Sequence, residues 1–192
     1  MAKGRKGRRL IFVPEEVLER LMDAPNRKGK NLTDFVEEIL REALRAEEMG
    51  RDFREVVDFF EILQALMSSG AVFTPLDVLK YLTGKVYESE GDELRKKWYE
   101  SGRWYGKYMK EKFKDPVDSL RRLLKATRWD LDEVEVRQNG DEVKIRCVST
   151  VLTVEGTEML LRFIEGAMHA LGYETRRSDY VKGIILLEFS AI

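Results

Sequence analysis

The chain is poor in the side chains that build cross-links and metal centres. Its 192 residues include one cysteine, Cys147, and one histidine, His169. A disulfide within the chain is therefore excluded. A cysteine/histidine zinc site is excluded as well, because it needs about four ligands. No metal or other cofactor is expected.

Long apolar runs are also missing. No stretch approaches the ~20 apolar residues that a membrane-spanning helix needs, and no apolar segment with a small-residue cleavage site follows the N-terminus. Side-chain amides are scarce, whereas Glu, Lys and Arg are abundant, a composition found in thermophilic proteins. The sequence predicts a cytoplasmic protein without a membrane partner.

Positive charge is not in excess over the whole chain. The 34 basic and 35 acidic residues give a net charge of −1, so contact with nucleic acid requires a local patch. One such patch occupies the first nine positions, where no acidic residue occurs. It is either a solubilising tail or an arm that binds phosphates, and its basic residues are Lys3, Arg5, Lys6, Arg8 and Arg9.

The next segment has the pattern strand, helix, helix. Leu10 to Val13 is short and rich in strand formers, and Pro14 ends it and can open a helix. After the break "APNRKGKN", Asn31 or Thr33 can cap a second helix with a regular apolar stripe. So short a unit cannot bury its own apolar surface, which favours a dimer with two paired strands.

This segment resembles a ribbon-helix-helix domain over roughly residues 8–46. The similar stretches are "RRLIFVPEEVLERL", the turn "NRKGKN" and "LTDFVEEILREAL". The resemblance implies that the paired strands enter the major groove with Arg8, Leu10 and Phe12 towards the bases. It also implies phosphate binding at the second helix start, Asn31 to Thr33, just after Arg27, Lys28 and Lys30.

The strand differs from the family pattern at Leu10 and Phe12. Family members usually carry polar or basic side chains there, whereas leucine and phenylalanine offer base edges no hydrogen bond. Two interpretations stay open. The segment binds double-stranded DNA, or both strand faces are buried and the segment only dimerises.

The rest of the chain predicts helices first and a sheet later. Apolar stripes indicate helices over Phe53–Met67, Leu76–Tyr87, Asp92–Lys114 and Val117–Ala126, with "SEGD" as a break. Gly102 and Gly106 would let another helix approach closely.

Alternating apolar residues around the turn Asn139-Gly140 then predict a hairpin. A helix follows that ends at Gly172, and two further strands close the chain. The fold class is α+β with an antiparallel sheet. The predicted domains are a strand-helix-helix dimerisation unit, 1–48, and a helical and antiparallel-sheet domain, 49–192.

The second domain resembles the 4-vinyl-reductase-like domain, a relative of the TRAPP vesicle-tethering subunits. The similar stretches are "WYESGRWYGKYM", "LRFIEGAMHALGY" and "YETRRSDYVKGIILLEFS". The resemblance implies a small hydrophobic ligand held between helices and sheet by a sensor domain. Many members carry cysteines in the last two strands, but here the region contains Ser178 and Leu187-Glu188-Phe189, which argues against a metal- or thiol-based sensor.

Four residues are candidates for the ligand pocket: Trp98, Tyr105, Cys147 and Phe163. Each has a structural alternative, because aromatic residues at helical spacing and a cysteine on an alternating strand are more often core. His169 lies off the main apolar stripe and is expected to be structural.

No enzymatic motif is present. The chain has no phosphate-binding loop of the form G-x-x-x-x-G-K-[ST], no G-x-S-x-G and no H-E-x-x-H, so we expect a protein that is not an enzyme. The leading hypothesis is a homodimeric one-component transcription regulator that binds double-stranded DNA and a small hydrophobic ligand or partner. The alternative is a dimerisation or scaffold module without DNA binding.

Overall fold

The computed structural model describes residues 11–26, 31–68 and 70–192. They form six helices and a four-stranded antiparallel sheet, which confirms the α+β class. The chain divides into two compact units, and the second covers Phe59–Ile192. The division lies inside the helix that spans Phe53–Ser68.

The first unit contains helices α1, Glu15–Asn26, and α2, Leu32–Glu48. Helix α1 begins after Pro14, whose carbonyl accepts the amides of Val17 and Leu18. Residues 11–14 carry no secondary structure, so the strand predicted to end at Val13 is not formed over residues 11–13. A strand takes its hydrogen bonds from a neighbouring strand, and the strand predicted here would take them from a second chain.

Helices α3 to α5 precede the sheet. They span Phe53–Ser68 (α3), Leu76–Lys112 (α4) and Pro116–Thr127 (α5). The predicted break at "SEGD" coincides with a kink, where two helical segments join to form α4. Glu90 leaves helical geometry there, at φ −137° and ψ 40°, and the helix resumes at once.

The sheet consists of two hairpins joined by helix α6, Val154–Leu171. The strands are β1, Glu133–Asn139; β2, Glu142–Val148; β3, Tyr173–Val181; and β4, Ile184–Ala191. All pairs are antiparallel in the order β1-β2-β4-β3, so β1 and β3 are the edges.

The first hairpin turn lies one residue later than predicted. Asn139 pairs with Glu142 as the last residue of β1, and the turn is Gly140-Asp141. Gly140 has φ 58°, which glycine adopts at no steric cost. Edge strand β3 is irregular between Thr175 and Arg177: the Cα register with β4 skips Arg176, although the Arg176 side chain donates to the Ser190 hydroxyl of β4 at 2.7 Å.

The core lies between the inner face of the sheet and α6. Side chains from β2 and β4, among them Ile145, Leu187 and Phe189, pack with Leu160 and Ile164 of α6 in one buried cluster. Helix α6 is buried on nearly all sides. A helix that is buried on nearly all sides belongs to the core of a fold, and α4 packs against α6.

Small residues set the distance between α4 and α6. A Cβ on Gly102 would meet the carbonyl of Phe163, and one on Gly106 would meet that of Ala167. Gly166 of α6 faces the carbonyl of Tyr99 in the same way. The close helix approach predicted from Gly102 and Gly106 is confirmed.

Candidate functional site

Three of the predicted DNA-binding residues fall within the described part of the chain: Phe12, Asn31 and Thr33. Phe12 is 96% exposed, and Ile11 beside it is exposed too. The other predicted residues lie outside the described residues, namely Lys3, Arg5, Lys6, Arg8, Arg9, Leu10, Arg27, Lys28 and Lys30.

The start of α2 is capped by Asn31. Its side-chain oxygen accepts the Asp34 amide at 2.9 Å, and its amide group donates to the Asp34 carboxylate at 2.5 Å. This cap satisfies one of the free donors at the helix start. It also places a carboxylate in the first turn, so a phosphate bound near Asn31 to Thr33 would meet the repulsion of Asp34.

Apolar side chains of the first unit lie open to solvent. Both helices contribute: α1 exposes one side of its apolar stripe, and α2 buries Phe35 and Ala46 but leaves Leu44 64% exposed. Apolar surface exposed to this extent is typical of an interaction site. The exposed residues are Ile11, Phe12, Val13, Val17, Leu18, Met22, Leu40, Leu44 and Met49.

The predicted pocket residues are packed against one another. Phe163 contacts Trp98 edge-on, with ring centroids 6.5 Å apart, and Tyr105 at 5.4 Å. Cys147 belongs to the same buried cluster from the inner face of β2. Burial raises the pKa of its thiol to about 12, so it stays protonated and unreactive.

Little empty space remains around these side chains. The cavity beside Tyr105 measures about 10 Å³, and the cavity beside Trp98 about 20 Å³. Roughly 10–15 Å³ on this measure holds one water molecule. A hydrophobic ligand at this place would therefore have to push the helices apart.

A second cluster, which we call the Glu158 cluster, spans the kink of α4. Glu158 of α6 is only 4% exposed. It accepts the hydroxyl of Tyr87 at 2.6 Å and Arg95 Nε at 2.8 Å, and Arg95 also donates to the Tyr87 hydroxyl at 2.6 Å. Tyr87 precedes the kink and Arg95 follows it, so one carboxylate holds both halves of α4.

The charges of this cluster are balanced. Burial alone would raise the pKa of Glu158, but hydrogen bonds from Arg95 and Tyr87 outweigh it, and the pKa is lowered. The hydrogen bond to Glu158 raises the pKa of Tyr87, and burial with nearby Glu158 raises that of Tyr180. An ionised carboxylate between protonated tyrosines is stable, and it offers no activated nucleophile.

The same side of α6 carries a second buried acid, Glu165. It accepts Arg162 Nη1 at 2.8 Å and the Ser178 hydroxyl at 2.7 Å. Ser178 stands on β3 opposite Leu187, which faces the core, and this register points Ser178 towards α6. The two acids therefore fasten α6 to α4 and to the edge strand.

His169 is held on both sides of its ring. Nδ1 lies 2.9 Å from the Tyr99 hydroxyl, and Nε2 lies 2.7 Å from the Thr175 hydroxyl. Burial lowers its pKa, and Arg103 adds to this effect whereas Glu165 opposes it. A neutral imidazole bridging α4, α6 and β3 has no free nitrogen for a metal, and it has a structural role.

The sequence pattern did not reveal the Glu158 cluster. Tyr87 lies 71 residues and Arg95 63 residues before Glu158 in the chain, and no sequence pattern relates residues so far apart. One signal was present: Glu158 directly precedes the apolar run Met159 to Leu161 of α6. A carboxylate inside a buried helix requires a partner.

Neither the protein-family models nor the curated proteins compared with the chain include a match. Within the described residues, no helix has the length and apolar character needed to cross a membrane. Over the same residues, no group of three or more His, Cys, Asp or Glu side chains is arranged to hold a metal ion.

Proposed function

We propose that the protein is a homodimeric one-component transcription regulator. Its first unit binds double-stranded DNA, and its second unit binds a small hydrophobic ligand or a partner. The observation that carries the proposal is the exposed apolar surface of the first unit, which includes Phe12 and Leu44. A second copy would cover this surface, as the resemblance to ribbon-helix-helix domains implies.

The DNA contact is supported by charge. The basic residues of the first nine positions and the group Arg27, Lys28 and Lys30 occur in a chain whose net charge is −1. Two copies would present these groups twice on one dimer. Lysine and arginine contacts to phosphates give affinity that falls steeply with salt.

The ligand would act through differential affinity for two arrangements of the dimer. The aromatic contacts of Trp98, Tyr105 and Phe163 are the region we propose for it. Because the cavities there are small, binding would separate helices that are otherwise packed. Such a movement is what a sensor needs in order to change the spacing of its DNA-binding units.

Fluorescence anisotropy on duplex DNA over a salt series tests the proposal. The full chain is compared with Lys28→Glu/Lys30→Glu, and Lys85→Glu/Lys182→Glu is the control with the same change of charge in the second unit. We expect the first variant to lose at least tenfold in affinity and the control to bind like the wild type. Unchanged binding by Lys28→Glu/Lys30→Glu would contradict DNA binding by this unit.

One observation favours a second candidate, a dimerisation module without DNA binding. The exposed pair Ile11 and Phe12 suits contact with protein better than contact with base edges. Light scattering tests the dimer that both functions require, and binding to duplex DNA separates the two. A dimer that fails to bind any duplex at low salt supports the module, whereas preference for the gene's upstream duplex over a scrambled one supports a regulator that reads sequence.

A further inference from the structure

A second basic segment lies in the C-terminal half of α4. Lys96 to Lys114 reads "KKWYESGRWYGKYMKEKFK", with seven basic residues and two acidic ones, Glu100 and Glu111. All but the last two positions are helical. Such an excess is unusual in a chain with net charge −1, and it creates a local positive potential in the second unit.

Two aromatic rings lie on the surface of this segment. Trp104 and Tyr108 are one helical turn apart and stack with ring centroids 5.6 Å apart and an interplanar angle of 12°. Buried Tyr105 contacts the Trp104 ring edge-on at 5.2 Å. Trp104 is nevertheless 43% exposed, so neighbours fix the orientation of an indole that remains open to solvent.

Lys107 and Lys112 share this face of the helix with the two rings and with Glu111, which follows Lys107 by four residues. Within the part of the chain that the structure describes, neither Lys107 nor Lys112 forms an ion pair. Lysines elsewhere in the second unit do: Lys85 pairs with Glu88 and Lys144 with Glu188. Lys112 also suits the C-terminal end of a helix dipole, but Lys107 lies before the last turn.

We propose that this face of α4, defined by Trp104, Lys107, Tyr108 and Lys112, binds single-stranded nucleic acid. A base would stack on the exposed Trp104 indole, and the two lysines would bind adjacent phosphates. Oriented aromatic rings between free cations are the features that recognise unpaired bases on a charged backbone. Bases within a duplex are already stacked on one another, so this surface differs in its target from the DNA-binding surface proposed for the first unit.

The first test is anisotropy of the full chain on a fluorescein-labelled oligothymidine of about 15 nucleotides, near the upper range of single-strand sites. Trp104→Leu keeps an apolar side chain against Tyr105 but removes the stacking surface. We expect it to weaken binding about 5- to 150-fold, the range for one stacked base. Trp104→Phe, which retains a smaller ring, should restore part of the affinity.

Trp129→Leu is the matched control. Trp129 is 75% exposed, more than Trp104, and its ring stacks on Phe73 outside the basic segment. We expect this variant to bind the oligothymidine as the wild type does. Circular dichroism and the urea midpoint of each variant show whether a loss of binding comes from unfolding.

The second test addresses the lysines. Lys107→Gln/Lys112→Gln should make the slope of log affinity against log salt shallower by roughly 1.4, because each single-strand phosphate contact contributes about 0.7. Lys85→Gln/Lys182→Gln removes the same number of charges elsewhere in the second unit. The control should leave the slope unchanged.

Several outcomes would overturn the proposal. One is that Trp104→Leu binds oligothymidine with wild-type affinity. Another is that this variant loses as much affinity for heparin, which has no bases, as it loses for oligothymidine. A third is that the wild type binds phosphatidylserine vesicles but not oligothymidine. Loss of oligothymidine binding in Lys28→Glu/Lys30→Glu would assign the contact to the first unit instead. If duplex binding fails while Trp104-dependent oligothymidine binding persists, only the proposed regulator function fails.

Discussion

The carbonyl oxygen of Phe163 lies where a Cβ on Gly102 would have to be placed. Glycine costs a helix interior about 1 kcal/mol relative to alanine, and α4 accepts this cost at the crossing with α6. In return, the two backbones approach directly, and the aromatic residues of α4 are held beside Phe163.

Gly102→Ala should therefore destabilise the protein in spite of its better helix propensity. The added methyl group meets backbone rather than a flexible side chain, so α4 and α6 must move apart. We expect a loss of about 1–3 kcal/mol in the free energy of unfolding, measured by urea denaturation.

Gly84→Ala is the control in the same helix. A Cβ there has no neighbour within 4 Å, so only the propensity gain applies, up to about 1 kcal/mol of added stability. If both variants change stability in the same direction, the packing explanation for Gly102 is wrong.

Glu158→Gln should weaken the connection across the kink of α4. The variant keeps the size of the side chain but removes the buried counter-charge of Arg95, which retains its ion pair with the exposed carboxylate of Asp92 at 2.8 Å. Loss of a buried partner costs about 3–5 kcal/mol, but Arg95 remains 29% exposed. We therefore expect about 1–3 kcal/mol after allowing for solvent screening, again from urea denaturation. A neutral effect would show that the cluster contributes nothing to stability.

The contribution of Glu158 should also depend on pH. Its folded pKa lies below the ordinary value of 4.5, so the stabilisation is complete above pH 4.5 and is lost as the pH falls through the lower folded value. The stability difference between wild type and Glu158→Gln should shrink over that acidic range. A difference that stays constant there would contradict the lowered pKa.

His169 should titrate below pH 6.5. Burial disfavours its charged form, so its contribution to stability is complete above pH 6.5 and is lost as the pH falls towards the folded pKa. It is the one histidine in the chain, so its imidazole proton resonance can be followed by NMR without assignment by mutation. A midpoint at or above 6.5 would show that the hydrogen bonds to Tyr99 and Thr175 favour the imidazolium.

Cys147 should report unfolding. The thiol is buried, with a pKa raised to about 12, so a disulfide reagent at pH 8 should modify it only when the second unit opens. We expect reaction in strong urea and almost none in buffer. Ser101→Cys, exposed on α4, is the positive control and should react at once; comparable reaction of the wild type would mean that β2 opens readily.

Periodicity predicted most of the helices and strands, because apolar spacing is local information. The crossing at Gly102 and Gly106 and the hairpin around Gly140 followed from the same local signals. The local signal "SEGD" also marked the position of the kink at Glu90. The contacts of Glu158 with both halves of α4 could not be predicted, because they join residues far apart in the chain.

The candidate site was less accessible to sequence reasoning. Trp98, Tyr105, Cys147 and Phe163 do belong to one buried cluster and its surroundings, but a sequence carries no information on how much space side chains leave between helices. The partners of Glu158 and Glu165 come from separate elements. Only the folded chain brings Tyr87, Arg95 and Ser178 to them.

The two edges of the sheet affect how the protein behaves when concentrated. An open edge can recruit a strand from another molecule and start a fibril. Edge strand β1 carries the charged residues Glu133, Glu135 and Arg137, and the backbone pairing of edge strand β3 with β4 skips Arg176. Strand addition at either edge would bury charge or meet a distorted backbone, so we expect the sheet to resist growing beyond four strands.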